Sequence, residues 1–310
     1  MSAAGPPQGA MVNEAASVGG PSMSGPATLS LPAPAKINLF LHVTGRRSDG
    51  YHTLETLLAP IDYGDRVTLA LRADSEIVRT RGLAELAPDD DLAVRAAQLL
   101  QRHCGVARGV EVDIEKRVPV GSGLGGGSSD AATVLLGLNR LWQMGLTRGA
   151  LMALALELGA DVPFFVFGEP GFARGIGEAL ERVSLPPTWL VVLTPPVQVS
   201  TATIFAAPEL TRQTRSARIR AFPEAYGSND LQAVAASRFP EIAAYLGALS
   251  REVPSGVRVG MSGSGSSVFA AFADEDAAVQ TLSRVARASN VAGFVARTLD
   301  RHPLQHFAAP

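Results

Sequence analysis

A glycine-rich loop that runs directly into an amphipathic segment is the strongest chemical pattern in this sequence. Residues 119–130 are Pro-Val-Gly-Ser-Gly-Leu-Gly-Gly-Gly-Ser-Ser-Asp. Glycine allows positive φ and a close approach of the backbone to a ligand. The free N–H groups at the start of a helix attract anions. Together with the hydroxyls of Ser128 and Ser129, the loop therefore predicts a phosphate-binding site.

Two familiar glycine motifs do not describe this loop. Gly121, Gly123 and Gly126 match the pattern G-x-G-x-x-G. A dinucleotide site also needs an acidic residue about 20 residues after the loop, at the end of the next strand. Residues 141–146 contain no acidic residue, and a helix is predicted where that strand would be. A Walker A loop needs a lysine where Gly127 stands. The pattern therefore disfavours a dinucleotide oxidoreductase.

The elements around the loop follow from the spacing of apolar residues. Alternation predicts strands at 37–43, 66–72 and 110–114. Helical spacing predicts helices at 91–103, 129–142 and 148–158. One of the residues Asp89 to Asp91 is predicted to cap the first helix, and Gly159 is predicted to end the third. We expect Ser128 or Ser129 to cap the helix that follows the loop, with Asp130 in its first turn.

The second half of the chain alternates strands with helices. The predicted strands are 189–194, 267–272 and 292–298, and the predicted helices are 229–236, 240–250 and 274–288. Such alternation is typical of an α+β or split βαβ arrangement. The Pro-containing segment 184–188 is the predicted linker, so we expect one domain over 29–185 and another over 189–300.

Composition indicates a globular chain and excludes several classes of protein. The 310 residues are 46% hydrophobic and 18% charged, which suffices for a sizeable core. Cys104 is the only cysteine, which excludes a disulfide scaffold and a cysteine-built zinc site. The histidines form no zinc motif. A net charge of −2 gives no electrostatic case for nucleic acid, and no apolar run is long enough to span a membrane.

Both ends of the chain are predicted to be tails. Residues 1–28 contain no Lys or Arg and are rich in small residues, which predicts disorder. This segment lacks the basic start of a secretory signal and the arginines of a transit peptide, so we expect a cytoplasmic protein. Residues 301–310 are the predicted C-terminal tail.

Three segments, in this order, resemble the motifs of the GHMP small-molecule kinases. The first is Ala-Pro-Ala-Lys-Ile-Asn-Leu at 33–39, the second is 119–130, and the third is Gly-Met-Ser-Gly-Ser-Gly-Ser-Ser at 260–267. The resemblance covers residues 33–300. It implies an α+β fold of two domains, a ribosomal-S5-like N-terminal ATP domain and a ferredoxin-like C-terminal domain, with the site between them.

The resemblance also implies the cofactors, ATP and Mg²⁺. ATP would lie over the second motif, on Pro119, Val120, Gly121, Ser122, Gly123, Leu124, Gly125, Gly126, Gly127, Ser128 and Ser129. In the third motif, Gly263, Ser264 and Gly265 would hold phosphate or order the first loop. The only acidic residue beside the loop is Asp130, so no protein carboxylate is predicted to bind the metal. A serine hydroxyl and the phosphates themselves would suffice.

Two charged residues are the predicted catalytic pair. Asp161, in the family-like segment Gly159 to Phe165, is the candidate general base for a substrate hydroxyl. Lys36 and Lys116 are the only lysines among 27 basic residues. The first motif places Lys36 beside Asp161, where an ammonium would offset negative charge in the transition state. Lys116 has no such motif and is predicted to lie at the surface.

The segment Arg-Ser-Asp-Gly-Tyr-His-Thr-Leu at 47–54 narrows the resemblance to one branch of the family. Enzymes of that branch transfer the γ-phosphate of ATP to the 2-hydroxyl of a cytidine diphosphate-linked methylerythritol, in the non-mevalonate isoprenoid route. The resemblance implies that Tyr51 stacks on the cytosine, that His52 bonds its edge and that Phe205 lies on the opposite side. Asn38 would face the methylerythritol hydroxyls.

Two other hypotheses remain open at this point. The chain could be another GHMP kinase, acting on homoserine, a sugar or a phosphomevalonate. Those substrates carry no cytosine, so Tyr51, His52 and Phe205 discriminate between the branches. It could also be a catalytically silent binding protein with the same fold, which the presence of Lys36 and Asp161 disfavours.

Overall fold

Two β-sheets organise the chain, and the computed structural model describes them through residues 27–83, 86–215 and 228–309. The strands are β1 Thr28–Arg46, β2 His52–Leu71, β3 Ile77–Arg81, β4 Val110–Glu115, β5 Gly171–Gly175, β6 Ala179–Arg182, β7 Trp189–Leu193, β8 Arg258–Met261, β9 Val268–Phe272 and β10 Gly293–Arg297. The α-helices are α1 Leu92–Cys104, α2 Gly126–Leu141, α3 Arg148–Leu158, α4 Val162–Phe167, α5 Thr201–Phe205, α6 Asp230–Arg238, α7 Pro240–Glu252 and α8 Glu275–Ser289. The α+β prediction is confirmed.

The first sheet has the strand order β3-β4-β2-β5-β6, with β1 paired to β2. All its pairs are antiparallel except β3 with β4. The long strand β2 pairs with β4 through 66–71 and with β5 through 54–58. Helices α1 to α4 contribute buried apolar side chains to a core with this sheet. These helices include the one that follows the glycine loop.

The second sheet is antiparallel, with the strand order β10-β7-β9-β8. Side chains from α6, α7 and α8 pack with it in a second core. A third apolar cluster joins the two sheets: Phe40 and Leu57 of the first contact the same cluster as Leu190 and Phe269 of the second. Each such buried side chain contributes about 1.5–3 kcal/mol. The two halves are therefore held together by a shared core.

Two irregularities in β1 lie beside the residues of the first motif. The pairing register with β2 shifts between Pro34 and Lys36 and again between Asn38 and Phe40. A β-bulge changes the direction of nearby side chains. Lys36 and Asn38 are two residues apart on the strand, and both are buried on the side of the cavity described below.

The helix after the glycine loop starts earlier than predicted. Gly125 is its N-cap, with φ of 73°, and α2 begins at Gly126. The cap position makes no side-chain hydrogen bond, so the prediction that Ser128 or Ser129 caps the helix is wrong. Both serines lie in its first turn. The loop glycines can start the helix themselves because they adopt a left-handed backbone conformation that other residues resist.

The predicted tails have different outcomes. Residues 1–26 lie outside the described part of the chain, and β1 already begins at Thr28. The prediction of a tail at 301–310 is wrong for 301–309, which pack on the first half of the chain. His302 and Leu304 are buried there. The Arg148 guanidinium donates to the carbonyls of Gln305 and Ala308. None of the helices in the described ranges combines the length and the hydrophobicity that a membrane-spanning segment needs.

Acid is expected to destabilise the fold through His302. Burial, together with the nearby charge of Arg148, lowers the pKa of His302 to about 3. Its pKa in the unfolded chain is about 6.5, so between these values the unfolded state binds more protons. Stability should therefore fall as the pH drops below about 6.5. From pH 7 to pH 4.5 this one group should cost about 2–3 kcal/mol.

Urea unfolding at pH 7 and pH 4.5 measures the effect. His302→Gln should flatten the pH dependence relative to the parent chain, because the titrating group is removed. His103→Gln, on the exposed side of α1, is the matched control and should keep the parent slope. If the free energy of unfolding of His302→Gln depended on pH as strongly as that of the parent chain, His302 would not be the source of the acid sensitivity.

Candidate active site

A cavity of about 560 Å³ opens where the two halves of the chain meet. Both predicted catalytic residues, Lys36 and Asp161, line it, and so do Asn38 and Phe205 of the predicted substrate site. The glycine-loop residues that line it are Pro119, Val120, Gly121, Ser122, Gly123, Gly125, Gly126, Gly127, Ser128, Gly263, Ser264 and Gly265. Segments far apart in sequence thus meet around one space.

The first glycine loop alternates between ordinary and left-handed backbone. Gly121, Gly123 and Gly125 have φ values of 65°, 75° and 73°. The loop then enters α2 at Gly126, and the first N–H groups of a helix have no partner within it. Gly126, Gly127 and Ser128 all line the cavity. Unpaired donors and the positive end of the helix dipole therefore border the space, which suits a phosphate group.

The second glycine loop supports the first through short contacts. The Ser262 hydroxyl donates to the Gly123 carbonyl at 2.9 Å, and the Ser267 N–H donates to the Ser122 carbonyl at 2.9 Å. A Cβ added at Gly123 would lie 2.2 Å from the Ser262 carbonyl oxygen. The two loops therefore touch backbone to backbone, and glycine is required at the contact.

Asn229 holds the second loop in place, and no sequence motif includes it. Its side-chain amide donates to the carbonyls of Met261 and Gly263, both at 2.8 Å. The side-chain oxygen of Asn229 accepts from the Leu231 N–H at the start of α6. An Asn at the start of a predicted helix indicates a cap, but only the tertiary structure places that cap beside the loop.

The two residues of the predicted catalytic pair lie in contact. The ammonium of Lys36 lies 3.6 Å from a carboxylate oxygen of Asp161. It also donates to the side-chain oxygen of Asn38. The Lys36 side chain is 4% exposed, whereas that of Asp161 is 47% exposed. The charge of the lysine is therefore fixed inside the wall of the cavity, while the carboxylate is open to it.

The Asp161 carboxylate accepts no hydrogen bond from the backbone of the helix that follows it. Asp161 precedes α4, but it makes no capping hydrogen bond. Pro163, in the first turn of that helix, has no N–H to offer. A carboxylate that is not bonded to a helix terminus keeps its lone pairs for other donors. It can thus accept a proton from a hydroxyl group placed in the cavity.

Lys36 is positioned from both sides. Its backbone N–H donates to the Leu124 carbonyl at 2.9 Å, which ties β1 to the glycine loop. A Cβ added at Gly125 would lie 3.2 Å from Cε of Lys36 and 2.9 Å from the ring of Phe165. The lysine stem therefore passes directly over Gly125, so that the ammonium lies between the phosphate loop and Asp161.

Asn38 lines the cavity, but the protein already engages both ends of its amide. The oxygen accepts from Lys36, and the nitrogen donates to the Thr56 hydroxyl at 2.9 Å. Its backbone N–H donates to the Ser262 hydroxyl at 3.1 Å. Asn38 therefore connects the lysine, strand β2 and the second glycine loop.

Leu124 and Ser129, two of the residues predicted to hold ATP, face the interior of the protein. Both are fully buried. The Leu124 side chain packs in the apolar cluster shared by the two sheets. The Ser129 hydroxyl donates to the carbonyl of Pro34 at 2.7 Å. A hydroxyl has a single hydrogen, so the prediction that Ser129 donates it to phosphate is wrong.

The residues of the predicted cytosine site lie near the tip of the β1–β2 hairpin. The rings of His52 and Phe205 stack, with centroids 5.0 Å apart and planes 24° from parallel. Tyr51 is 61% exposed, so its ring is free to receive a planar group. Arg212, which the sequence analysis missed, donates to Nε2 of His52 at 3.1 Å. His52 and Phe205 are thus brought together, while Tyr51 stands apart in the solvent.

The prediction that Lys116 lies at the surface is wrong. Its ammonium is 2.5 Å from Asp65 and 2.7 Å from Asp130, and its side chain is only 16% exposed. Desolvation lowers the pKa of Lys116, but the two carboxylates outweigh that effect and raise it. Burial raises the pKa of Asp130 to about 7, against the opposing charge of Lys116. Lys116 and Asp130 both line the cavity.

Asp65 ties this charged cluster to the glycine loop. Its second oxygen accepts the backbone N–H groups of Arg117 and Val118 at 2.5 Å and 2.8 Å. Asp65 and Lys116 are 51 residues apart, so no local pattern connects them. The only feature of the sequence that drew attention to Lys116 was the rarity of lysine. The cluster fixes the chain where it leaves β4 and enters the loop.

Comparison with known proteins agrees with this architecture. Residues 91–169 match the model of the GHMP kinases N terminal domain, and residues 207–291 match that of the GHMP kinases C terminal domain. With its two sheets, its paired glycine loops and the lysine–aspartate pair between them, the molecule is a two-domain GHMP kinase, an ATP-dependent phosphotransferase.

Individual relatives narrow the class. The 4-diphosphocytidyl-2-C-methyl-D-erythritol kinase of Thiobacillus denitrificans is 54% identical over 90% of this chain and 98% of its own length. The enzyme of the same name from Nitrosospira multiformis is 51% identical over 91% of this chain and 95% of its own length. A crystal structure of 4-(cytidine 5'-diphospho)-2C-methyl-D-erythritol kinase aligns with a TM-score of 0.74, at 37% identity over 87% of this chain and 99% of that one. The chain belongs to the family of 4-diphosphocytidyl-2-C-methyl-D-erythritol kinases.

Proposed function

We propose that the chain transfers the γ-phosphoryl group of ATP to the 2-hydroxyl of 4-diphosphocytidyl-2-C-methyl-D-erythritol, in the non-mevalonate route to isoprenoid precursors. The observation that carries phosphoryl transfer is the 3.6 Å separation of Lys36 and Asp161 in the same cavity as the first glycine loop, and the 54% identity to a kinase named for this acceptor supports the choice of substrate. Phosphoryl transfer depends on positioning and on charge stabilisation more than on covalent chemistry. This arrangement offers both.

In the proposed reaction, each group of the chain has one task. Asp161 accepts the proton of the substrate hydroxyl while the oxygen attacks the γ-phosphorus. Lys36 holds that carboxylate in position, and its charge opposes the negative charge that develops in the transition state. The N–H groups of the first loop hold the triphosphate, with Gly263, Ser264 and Gly265 supporting them. Asn38 keeps the ammonium aimed at the reacting atoms.

Mg²⁺ is proposed as the companion of ATP. Among the described residues, no group of three or more His, Cys, Asp or Glu side chains could hold a metal ion. Mg²⁺ commonly rests on substrate phosphates with few protein ligands. The Ser128 hydroxyl lines the cavity from the first turn of α2 and fits such a site as a single oxygen ligand. When bound, the ion neutralises charge on the phosphate oxygens.

The substrate test compares acceptors under one set of conditions. Purified protein with ATP and Mg²⁺ is given 4-diphosphocytidyl-2-C-methyl-D-erythritol, homoserine, a sugar or a phosphomevalonate, and ADP release is followed. Turnover of the cytidine compound alone supports the proposal. Turnover of homoserine alone would place the chain in another branch, and turnover of none would indicate a silent binding protein.

Tyr51→Ala is expected to weaken substrate binding and to leave ATP binding nearly unchanged. Stacking of a base on an aromatic ring is worth about 1–3 kcal/mol, so the KM for the cytidine substrate should rise about 10-fold. Tyr51→Phe is the matched control, because it retains the ring and loses only the hydroxyl. Steady-state kinetics with each substrate varied in turn measure both constants. An unchanged KM in the alanine variant would argue against stacking.

A further inference from the structure

Arg212 donates four hydrogen bonds near the proposed cytosine end, and none of the sequence motifs includes it. It lies in the segment after α5. Its Nε donates to Nε2 of His52 at 3.1 Å, and one Nη donates to the Leu210 carbonyl at 3.1 Å. The other Nη donates to the carbonyls of Phe205 and Ala207 at 3.1 Å and 2.6 Å. The guanidinium therefore has a fixed position and one N–H aimed at the histidine ring.

This contact decides which nitrogen of His52 carries the hydrogen. A guanidinium only donates hydrogen bonds, and it stays charged at all ordinary pH values. Nε2 of His52 must therefore be the acceptor, and a neutral ring then carries its hydrogen on Nδ1. Desolvation and the charges of Arg212 and Arg46 lower the pKa of His52, which favours the neutral ring.

The orientation of the ring is fixed as well. His52 begins β2 in the first half of the chain, and Phe205 ends α5 in the second half. Their rings stack at 5.0 Å, and Arg212 bonds both residues. Within the described ranges, Nδ1 of His52 makes no hydrogen bond. The Nδ1–H of His52 is therefore a donor with a fixed position that a ligand can bind.

Cytosine and uracil share the acceptor O2 and differ at ring nitrogen N3, which we take as the atom that Nδ1–H of His52 meets. Ring nitrogen N3 of cytosine is an acceptor, whereas N3 of uracil carries a hydrogen. A fixed Nδ1–H can donate to N3 of cytosine. It cannot bond N3–H of uracil, because both groups are donors. Sites built to pair one polar group reject the analogue that leaves a buried group unpaired. Discrimination therefore depends on the tautomer of the histidine.

We propose that Arg212 is a positioning residue that holds His52 in its Nδ1–H form and so makes the site select cytosine over uracil. The selectivity part of this inference rests on the function proposed above. The tautomer part depends only on the contacts of Arg212. Two measurements therefore test it, one of which requires no substrate.

The first measurement is the ¹⁵N NMR spectrum of histidine-labelled protein. In the parent chain, the signals of His52, identified by their loss in His52→Ala, should show a protonated Nδ1 and an unprotonated Nε2. In Arg212→Ala the ring should move towards the Nε2–H form. Arg215→Ala removes an exposed arginine from the same segment and should leave the parent spectrum unchanged. A protonated Nε2 in the parent chain would overturn the proposal.

The second measurement compares the cytidine substrate with its uridine counterpart. In Arg212→Ala the ratio of the two kcat/KM values should fall about 10-fold, mainly through a higher KM for the cytidine compound. The KM for ATP should stay near the parent value, which a general loss of structure would not allow. Arg212→Lys also only donates, and it should restore most of the selectivity.

The combined outcomes separate the two proposals. Adding Arg212→Ala to His52→Ala should cause no further loss of selectivity, because the arginine acts through the histidine. An unchanged cytidine-to-uridine ratio in Arg212→Ala would overturn the inference. Failure of the parent chain to phosphorylate either compound would overturn the proposed function and the selectivity with it. The ¹⁵N spectra would still decide the tautomer.

Discussion

Asp161→Asn is expected to reduce kcat by about 10²–10⁴-fold. The amide has the shape of the carboxylate but cannot accept the proton of the substrate hydroxyl. It would still lie beside the Lys36 ammonium, which is 3.6 Å from the carboxylate in the parent chain. The glycine loops, which are proposed to hold the nucleotide, contact each other through Ser122, Gly123, Ser262 and Ser267 and not through Asp161. ATP affinity measured by calorimetry should therefore remain near the parent value.

A matched control separates this loss from a general effect of charge. Glu157 lies on α3, four residues before Asp161, and its side chain is exposed. Glu157→Gln removes the same charge from the same region and should leave kcat unchanged. If Asp161→Asn turned over at the parent rate, the proton would have to leave by another route, and Asp161 would be assigned only to the binding of Lys36.

Gly123→Ala is expected to lower kcat/KM for ATP by about 10²-fold, since a misplacement of bound groups by about 1 Å can cost an enzyme that much in rate. The new Cβ would lie 2.2 Å from the Ser262 carbonyl oxygen and 2.9 Å from that of Gly265. Both are backbone atoms, and the Ser262 carbonyl also accepts the Gly265 N–H at 3.0 Å. Neither can move aside alone, so the two glycine loops must separate.

The control for this variant is a glycine with the same backbone and open space around it. Gly145 has φ of 66°, close to the 75° of Gly123, and a Cβ added there meets no atom within 4 Å. Gly145→Ala carries the strain of a left-handed alanine, about 1–2 kcal/mol, and nothing more. It should lose some stability and keep its ATP kinetics. Equal effects on ATP in the two variants would contradict the loop contact.

Local patterns predicted the helices well because their determinants are close in sequence. Asp91 caps α1 through the Ala93 N–H, as its position before the apolar repeat indicated. Helix α3 spans the predicted residues and ends before Gly159. Strands were harder. The long hairpin of β1 and β2 was predicted only as two separate pieces, because much of β2 is buried without strict alternation.

The parts of the site that escaped prediction depend on distant residues. Asp65 and Lys116 are 51 residues apart, and Arg212 is 160 residues from His52. No spacing rule for a helix or a strand reaches that far. The C-terminal segment was missed for the same reason, since its polar groups find partners such as Arg148 only after the chain has folded back.

The sequence by itself determined the glycine loop, the order of the three motifs and the presence of a lysine at 36 and a carboxylate at 161, because glycine conformation and side-chain chemistry belong to single residues. Only the tertiary structure decided that the Lys36 ammonium and the Asp161 carboxylate lie 3.6 Å apart and that Ser262 touches Gly123. Those distances arise from two sheets packed on one apolar core. Such packing is a sum of many weak contacts, and no short segment of the chain contains it.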